Sequence, residues 1–246
     1  MLDDDSDRTD TAQNRAYMAL KNAVLAGHFY PGTVLSLREL AASLGTSEMP
    51  IREALKRLTA EGAFEAMPNR SARVPILSKR QLEQVLALRV DLESQAVAQA
   101  AENISRRHID ELALLQEQME HALDEGNFPL YVSLNKQFHF AIYTIADNDT
   151  LLALIEALWL RMAPVVSFNL TLAANAAMRF DPSSRAHHFE ILEALRSGDA
   201  AKAAAQLRAD LLHPAGFSEY WESSARLAQS APPSRKRRPR KPVPEL

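Results

Sequence analysis

Glycine scarcity constrains this chain more than any other feature: seven glycines stand against thirteen prolines in 246 residues, with alanine and leucine abundant. Multi-stranded sheets joined by glycine-rich loops need more left-handed turn positions than that, whereas long helices need few. Gly27, Gly32, Gly45, Gly62, Gly126 and Gly198 fall where apolar periodicity breaks off, the expected place for a helix stop or a turn. The pattern predicts a mostly α protein.

Other bounds follow from composition. A hydrophobic share of 47%, a charged share of 24% and a net charge of -3 describe a globular chain able to close one large core or two smaller ones. The absence of cysteine excludes disulfides, thiolate metal sites and cysteine nucleophiles, and fits a reducing compartment. The start of the chain is acidic where a secretion signal is basic. The most apolar run, Leu151 to Leu160, is interrupted by Glu156 and falls short of the ~20 residues of a bilayer span. A cytoplasmic protein with no membrane partner is expected. Asp3, Asp4, Asp5, Asp7 and Asp10 make residues 1–10 an acidic extension, and Arg235 to Lys241 make residues 224–246 a basic tail. Both are expected to be disordered, the tail adding non-specific phosphate contacts.

Residues 11–76 read as one domain. Tyr17, Leu20, Val24 and Leu25 line one face of a helix over Arg15 to Ala26, stopped by Gly27. After Pro31-Gly32, Ser36 and Glu39 have capping-box spacing ahead of Leu40, Ala41 and Leu44. Ser47 caps a third helix with Pro50 in its first turn and Ile51, Ala54, Leu55 and Leu58 facing inward. Two short helices joined by Gly-Thr-Ser have the form of a helix-turn-helix. Ala63 to Met67 and Arg73 to Ile76 flank the turn Pro68-Asn-Arg-Ser and predict a β-hairpin wing. Arg52, Lys56 and Arg57 on the third helix, with Arg70 and Arg73 on the wing, can present forked donors to phosphates and base edges.

The ordered anchors Pro31-Gly32, Arg38-Glu-Leu-Ala41, Leu44-Gly45, Ser47, Pro50-Ile-Arg-Glu-Ala-Leu55, Glu61-Gly62 and Pro68-Asn-Arg70 resemble the winged helix of the GntR family of bacterial transcription regulators. The resemblance implies that Arg38 and Arg52 lead the operator contacts, with the wing entering the minor groove; with the basic residues already read from spacing, the expected DNA-binding set is Arg38, Ser47, Glu48, Arg52, Lys56, Arg70 and Arg73. Two positions depart from the family pattern. Glu48 stands where an arginine usually reads DNA, and Ser71 where the wing turn usually has glycine. A carboxylate there can accept from a cytosine amino group, so an operator unlike the family's usual half-site is expected.

Residues 78–223 read as an all-helical bundle of six or seven helices. Ser78 and Gln81 form another capping-box pattern, opening an amphipathic helix through Leu82, Val85, Leu86 and Val97 to about Ala101. Further helices are expected near Arg106–Glu125, Pro129–Ala146, Thr150–Ala177, Arg185–Arg196 and Asp199–Leu212. Asn135 and His139 share a helix face, and His188 and Asp210 lie on later helices. Imidazole nitrogens and side-chain oxygens from three helices are how bundle cores build metal sites.

Gln137-Phe-His139-Phe-Ala-Ile142, His188-Phe-Glu-Ile-Leu-Glu-Ala-Leu195 and Ser197-Gly-Asp199 resemble the FCD effector domain of FadR-like regulators. In that fold an aspartate and three histidines hold a divalent metal beneath a cavity for a small carboxylate. The resemblance therefore implies Asn135, His139, His188 and Asp210 as ligands to Zn, Mn or Ni, with Asn135 in the aspartate position and Asp210 in that of the last histidine. His139, His188 and Asp210 also make a two-histidine, one-carboxylate set, which opens an alternative as a metal-dependent enzyme. The resemblance also gives arginines such as Arg89 and Arg161, with Asn135, a role in gripping the effector. Arg89 can instead pair with Glu93 one turn on, and Arg161 sits between Leu160 and Met162 in an apolar stretch. The combined expectation is a homodimeric regulator, more readily a repressor, that binds operator DNA and a small organic acid.

Overall fold

The computed structural model describes residues 4–67, 71–175, 182–212 and 220, and these hold nine helices and three short strands. The first helix, α1 (Asp4–Leu25), begins earlier than the expected Arg15. Residues 4–10, expected as a disordered extension, are helical instead. Aspartates in a helix's first turns interact favourably with the positive end of its dipole, so the charges that suggested a solvated tail are also compatible with a helix start. Leu20 and Val24 of α1 are fully buried, and α1 packs on α3 and α7.

Strand β1 (Val34–Ser36) leads directly into α2 (Leu37–Ser43), with the Ser36 hydroxyl accepting from the Glu39 amide at 3.2 Å. Then follow α3 (Glu48–Ala60), β2 (Glu65–Met67) and β3 (Ser71–Arg73). The strands form one antiparallel sheet in the order β1-β3-β2, with Leu35 opposite Ala72 and Glu65 opposite Arg73. Two expectations need correction. The second wing strand ends at Arg73 rather than beginning there, and a third strand, β1, was not foreseen. Strands of three residues show no readable alternation. Buried Phe29 and Phe64 meet edge to face at 6.1 Å and close the core beneath the sheet.

The remaining six helices form the bundle: α4 (Lys79–Asn103), α5 (Arg106–Asp124), α6 (Phe128–Ile145), α7 (Asp149–Asn175), α8 (Pro182–Arg196) and α9 (Ala200–Leu211). Ser78 and Gln81 make the expected capping box. Ser105 and His108 make a second one that the sequence did not announce, because imidazole replaces the usual Glu or Gln. Helix α4 packs against α6, α7 and α9, and α5 against α6 and α8. By composition the Asp149–Asn169 part of α7 could span a bilayer, with a mean hydropathy of 1.7, which extends the shorter run read from sequence. Its Ile155, Trp159, Leu160, Met162 and Val165 are buried in the protein core.

Helix α7 also packs against the N-terminal winged domain. Lys21 of α1 pairs with Glu156 at 2.5 Å, and the Ser167 hydroxyl donates to the Gly27 carbonyl at 2.7 Å. Gly27 and Gly62 end α1 and α3 with φ of +73° and +81°. A Cβ on Gly27 would stand 2.6 Å from the Ser167 Cβ, and one on Gly62 2.8 Å from the Arg161 guanidinium. Both stops thus need glycine for backbone conformation and for close approach to α7.

Candidate nucleic-acid interface and metal centre

Helix α3 buries Pro50, Ile51, Ala54, Leu55 and Leu58, and that choice turns the opposite face outward. Arg52 and Lys56, one turn apart, are exposed, as is Arg38 on α2. Ser47 occupies the N-cap position with extended backbone, yet its side chain makes no capping hydrogen bond. Ser47 is exposed, at a helix start whose first amides have no partner within the helix. Glu48 is half-buried in that turn and makes no ion pair among the described residues.

Arg57, grouped with Arg52 and Lys56 by spacing, is also exposed but lies along the surface against α1 and Glu61. Its guanidinium lies 3.6 Å from the Tyr17 ring centre and its Nε 3.2 Å from Glu61. One position beyond Lys56 rotates a side chain by about 100°, enough to move it onto the α1 contact. Arg73 makes a cross-strand pair with Glu65 at 2.6 Å, so it braces the wing. Arg70 and the basic tail lie outside the described residues.

In the bundle, His139 from α6, His188 from α8 and Asp210 from α9 converge. Their ligand atoms all lie within 4.8 Å of one another. His139 Nε2 is 3.5 Å from Asp210 Oδ2, and His188 Nε2 is 3.6 Å from Asp210 Oδ1. Both separations exceed hydrogen-bond length, and the buried His188 Nε2 has no partner. Burial drives the His139 pKa well below the imidazole range, helped by the nearby His188 and Arg89 charges. Burial also lowers the His188 pKa, against the opposing pull of Asp210 and Glu120. Two neutral imidazoles and a carboxylate, set slightly too far apart to bond to each other, suit a divalent cation between them. Asn135 stands one turn before His139 on α6 and is half-buried. Three of the four expected ligands are thus brought together, while Asn135 is placed only by its spacing one turn from His139.

Beside His139 lies a network of which the sequence reading held only the Arg89–Glu93 pair. Glu93 accepts from Arg89 Nε at 2.5 Å, from Arg89 Nη2 at 3.2 Å and from Trp159 Nε1 at 3.1 Å. The Tyr143 hydroxyl also donates to Glu93 and lies 3.3 Å from His139 Nδ1. The Arg89 guanidinium covers the Trp159 ring at 4.4 Å. Arg89 is therefore paired with Glu93 and stacked on Trp159, as the ion-pair reading expects. Arg161, the other arginine singled out, sits apart from this network. It is exposed and lies against Gly62, because two residues after buried Trp159 the helix has turned about 200°.

Comparisons with known proteins agree with this architecture. Residues 12–74 match the bacterial regulatory proteins of the gntR family, and residues 84–213 match the FCD domain. The chain is 37% identical over 145 residues to the HTH-type transcriptional regulator McbR of Escherichia coli K12, an alignment covering 59% of this chain and 66% of that relative, just under two thirds of its length. A probable D-xylose utilization operon transcriptional repressor of Paenarthrobacter nicotinovorans is 27% identical over 191 residues, covering 78% of this chain and 80% of the relative. The solved structure of E. coli McbR/YncC superposes with a TM-score of 0.74 at 30% identity, covering 89% of this chain and 97% of that one. A GntR structure from Rhodococcus sp. RHA1 shares the fold at a TM-score of 0.66 and 18% identity, over 89% of this chain and 99% of its own. These are regulators by name, and the metal-dependent enzyme alternative finds no support among them. The chain belongs to the gntR family of bacterial regulatory proteins, its winged helix joined to an FCD domain.

Proposed function

We propose that this protein is a cytoplasmic, homodimeric transcription repressor whose FCD domain binds a small carboxylate and thereby weakens the hold of α3 on operator DNA. One observation carries the reading: α7 touches both sites. Trp159 of α7 donates to Glu93 and sits 5.8 Å from the His139 ring, while Glu156, Arg161 and Ser167 of the same helix meet Lys21, Gly62 and Gly27 of the winged helix. A ligand that favours one position of α7 must favour one position of the recognition helix, and linkage makes the effect reciprocal, typically at about 1–3 kcal/mol.

His139, His188 and Asp210 would hold Zn, Mn or Ni, with Asn135 at the rim of the same face contacting metal or effector. The cation would supply the positive charge that an effector carboxylate needs in a buried site. Arg38, Ser47, Arg52 and Lys56 would hold the operator, with Glu48 reading a base amino group. The relative named as a repressor of a D-xylose utilization operon supports the sense of regulation. A two-fold dimer fits a palindromic operator.

Selection of bound sequences from random double-stranded DNA tests the reading. A palindromic site favoured at least about 10³-fold over random DNA is expected. Arg52→Ala should cost about 1–3 kcal/mol and relax discrimination at one position per half-site. Equal affinity for selected and random DNA, with a steep salt dependence, would overturn it in favour of sequence-indifferent binding.

A further inference from the structure

We propose that Tyr143, anchored by Glu93, is a positioning residue that locks the His139 ring in the tautomer whose Nε2 lone pair faces Asp210 and His188. The inference rests on reading that cluster as a metal site, and its logic is the polarity of hydrogen bonds. Glu93 is surrounded by groups that can only donate to it: Arg89 Nε at 2.5 Å, Arg89 Nη2 at 3.2 Å and Trp159 Nε1 at 3.1 Å. Arginine and indole nitrogens carry no acceptor, and the paired carboxylate carries no proton. The Tyr143 hydroxyl on Glu93 must therefore donate its single proton there.

The consequence passes to the next atom. With its proton spent on Glu93, the Tyr143 oxygen offers a lone pair to His139 Nδ1, 3.3 Å away and one helical turn earlier on α6. That contact favours a hydrogen on Nδ1. A neutral imidazole has one N–H, so Nε2 is left as an acceptor. Nε2 then faces Asp210 Oδ2 at 3.5 Å, lone pair against lone pair. The partnerless His188 Nε2 lies on the other oxygen of the same carboxylate at 3.6 Å. A cation is the species that satisfies all three atoms at once. The chain Arg89, Glu93, Tyr143 and His139 thus sets up a ligand from three helices, with tyrosine relaying what a carboxylate more often does directly for a metal-bound histidine.

Histidine side-chain nitrogen NMR on chelator-stripped full-length protein tests this, with His139 assigned by its loss in His139→Ala. Wild type should show the His139 ring protonated at Nδ1, and Tyr143→Phe should shift it toward the Nε2-protonated form. Zinc or manganese affinity, read by competition with a chromogenic chelator, should fall about 10–100-fold in Tyr143→Phe. A wild-type ring protonated at Nε2 would overturn the proposal, as would a ring pattern unchanged by Tyr143→Phe. The wild-type spectrum decides the matter even if the variant does not fold. A tautomer that shifts as expected while neither protein binds metal would support the lock and count against the metal site instead.

Discussion

Glu93→Gln is the substitution whose cost the structure fixes best. It removes the charge but nearly keeps the shape of a side chain that is wholly buried beside an Arg89 side chain only 4% exposed. Screening that makes surface pairs weak is absent here. With charge centres about 4 Å apart and an effective dielectric near 20, the lost attraction is about 4 kcal/mol. Breaking a buried pair from one side costs about 3–5 kcal/mol, because the remaining ion stays desolvated, so two routes give the same magnitude. The glutamine amide would also turn a donor toward Arg89 and Trp159 or toward Arg89 and Tyr143, whichever way it is flipped. Urea unfolding at fixed protein concentration should register a loss of about 3–5 kcal/mol. Arg89→Met should cost a similar amount by stranding the carboxylate. The double variant should cost less than either single one, since replacing both charges removes the desolvation penalty along with the attraction. Single losses below about 1 kcal/mol, or strict additivity, would refute the picture of a dry, coupled pair.

Three further outcomes are expected. Gly62→Ala places a Cβ at φ +81° and 2.8 Å from Arg161, so thermal unfolding should show a loss of about 1–2 kcal/mol; adding Arg161→Ala relieves the contact but not the backbone, and full recovery would show the strain to be negligible. In metal-free protein, burial depresses the His139 and His188 pKa values, so the unfolded chain binds more protons as pH falls below about 6.5. Stability should then be flat above that pH and decline below it by up to about 1.4 kcal/mol per pH unit per histidine; an unchanged acid slope in His139→Gln would argue against a buried neutral ring. Zinc, manganese or nickel added at about 100 times its Kd should stabilise the stripped protein by about 2.7 kcal/mol. A thermal shift that survives both His188→Ala and Asp210→Ala would place the metal elsewhere.

The helices were legible where a local signal is complete, as at Ser78 and Gln81, whose capping box forms as read. They were illegible where the signal is ambiguous. Aspartates 4, 5 and 7 suit a solvated tail and the start of a helix equally, and the structure places them in α1. Strand β1 has three residues and acquires its identity by pairing with β3 across more than thirty positions of chain, information that no local window holds. The same distinction divides the site. His139 and Asn135 declare a shared face by spacing, and the residue types suggested His188 and Asp210 as companions on later helices, but only the packing of α6, α8 and α9 brings His139, His188 and Asp210 within reach of one another. The Glu93, Tyr143 and Trp159 network needs α4, α6 and α7 to meet, and only its two intrahelical halves, Arg89 with Glu93 and His139 with Tyr143, were present as spacing.

Arg89 and Arg161 show what the local pattern could have decided. Both interrupt apolar stretches of long helices, and both were candidates for the interior. A guanidinium entering a core needs a counter-charge, and a helix supplies one most cheaply three or four residues away. Arg89 has Glu93 at that distance and is buried with it. Around Arg161 the corresponding positions are Ala157, Leu158, Pro164 and Val165, which offer no charge. With no partner on its own helix, the side chain turns outward and is exposed, its guanidinium lying against Gly62 at the end of the recognition helix. An arginine within an apolar run therefore points to the core when an acid lies one turn away, and otherwise marks the edge where the helix leaves it.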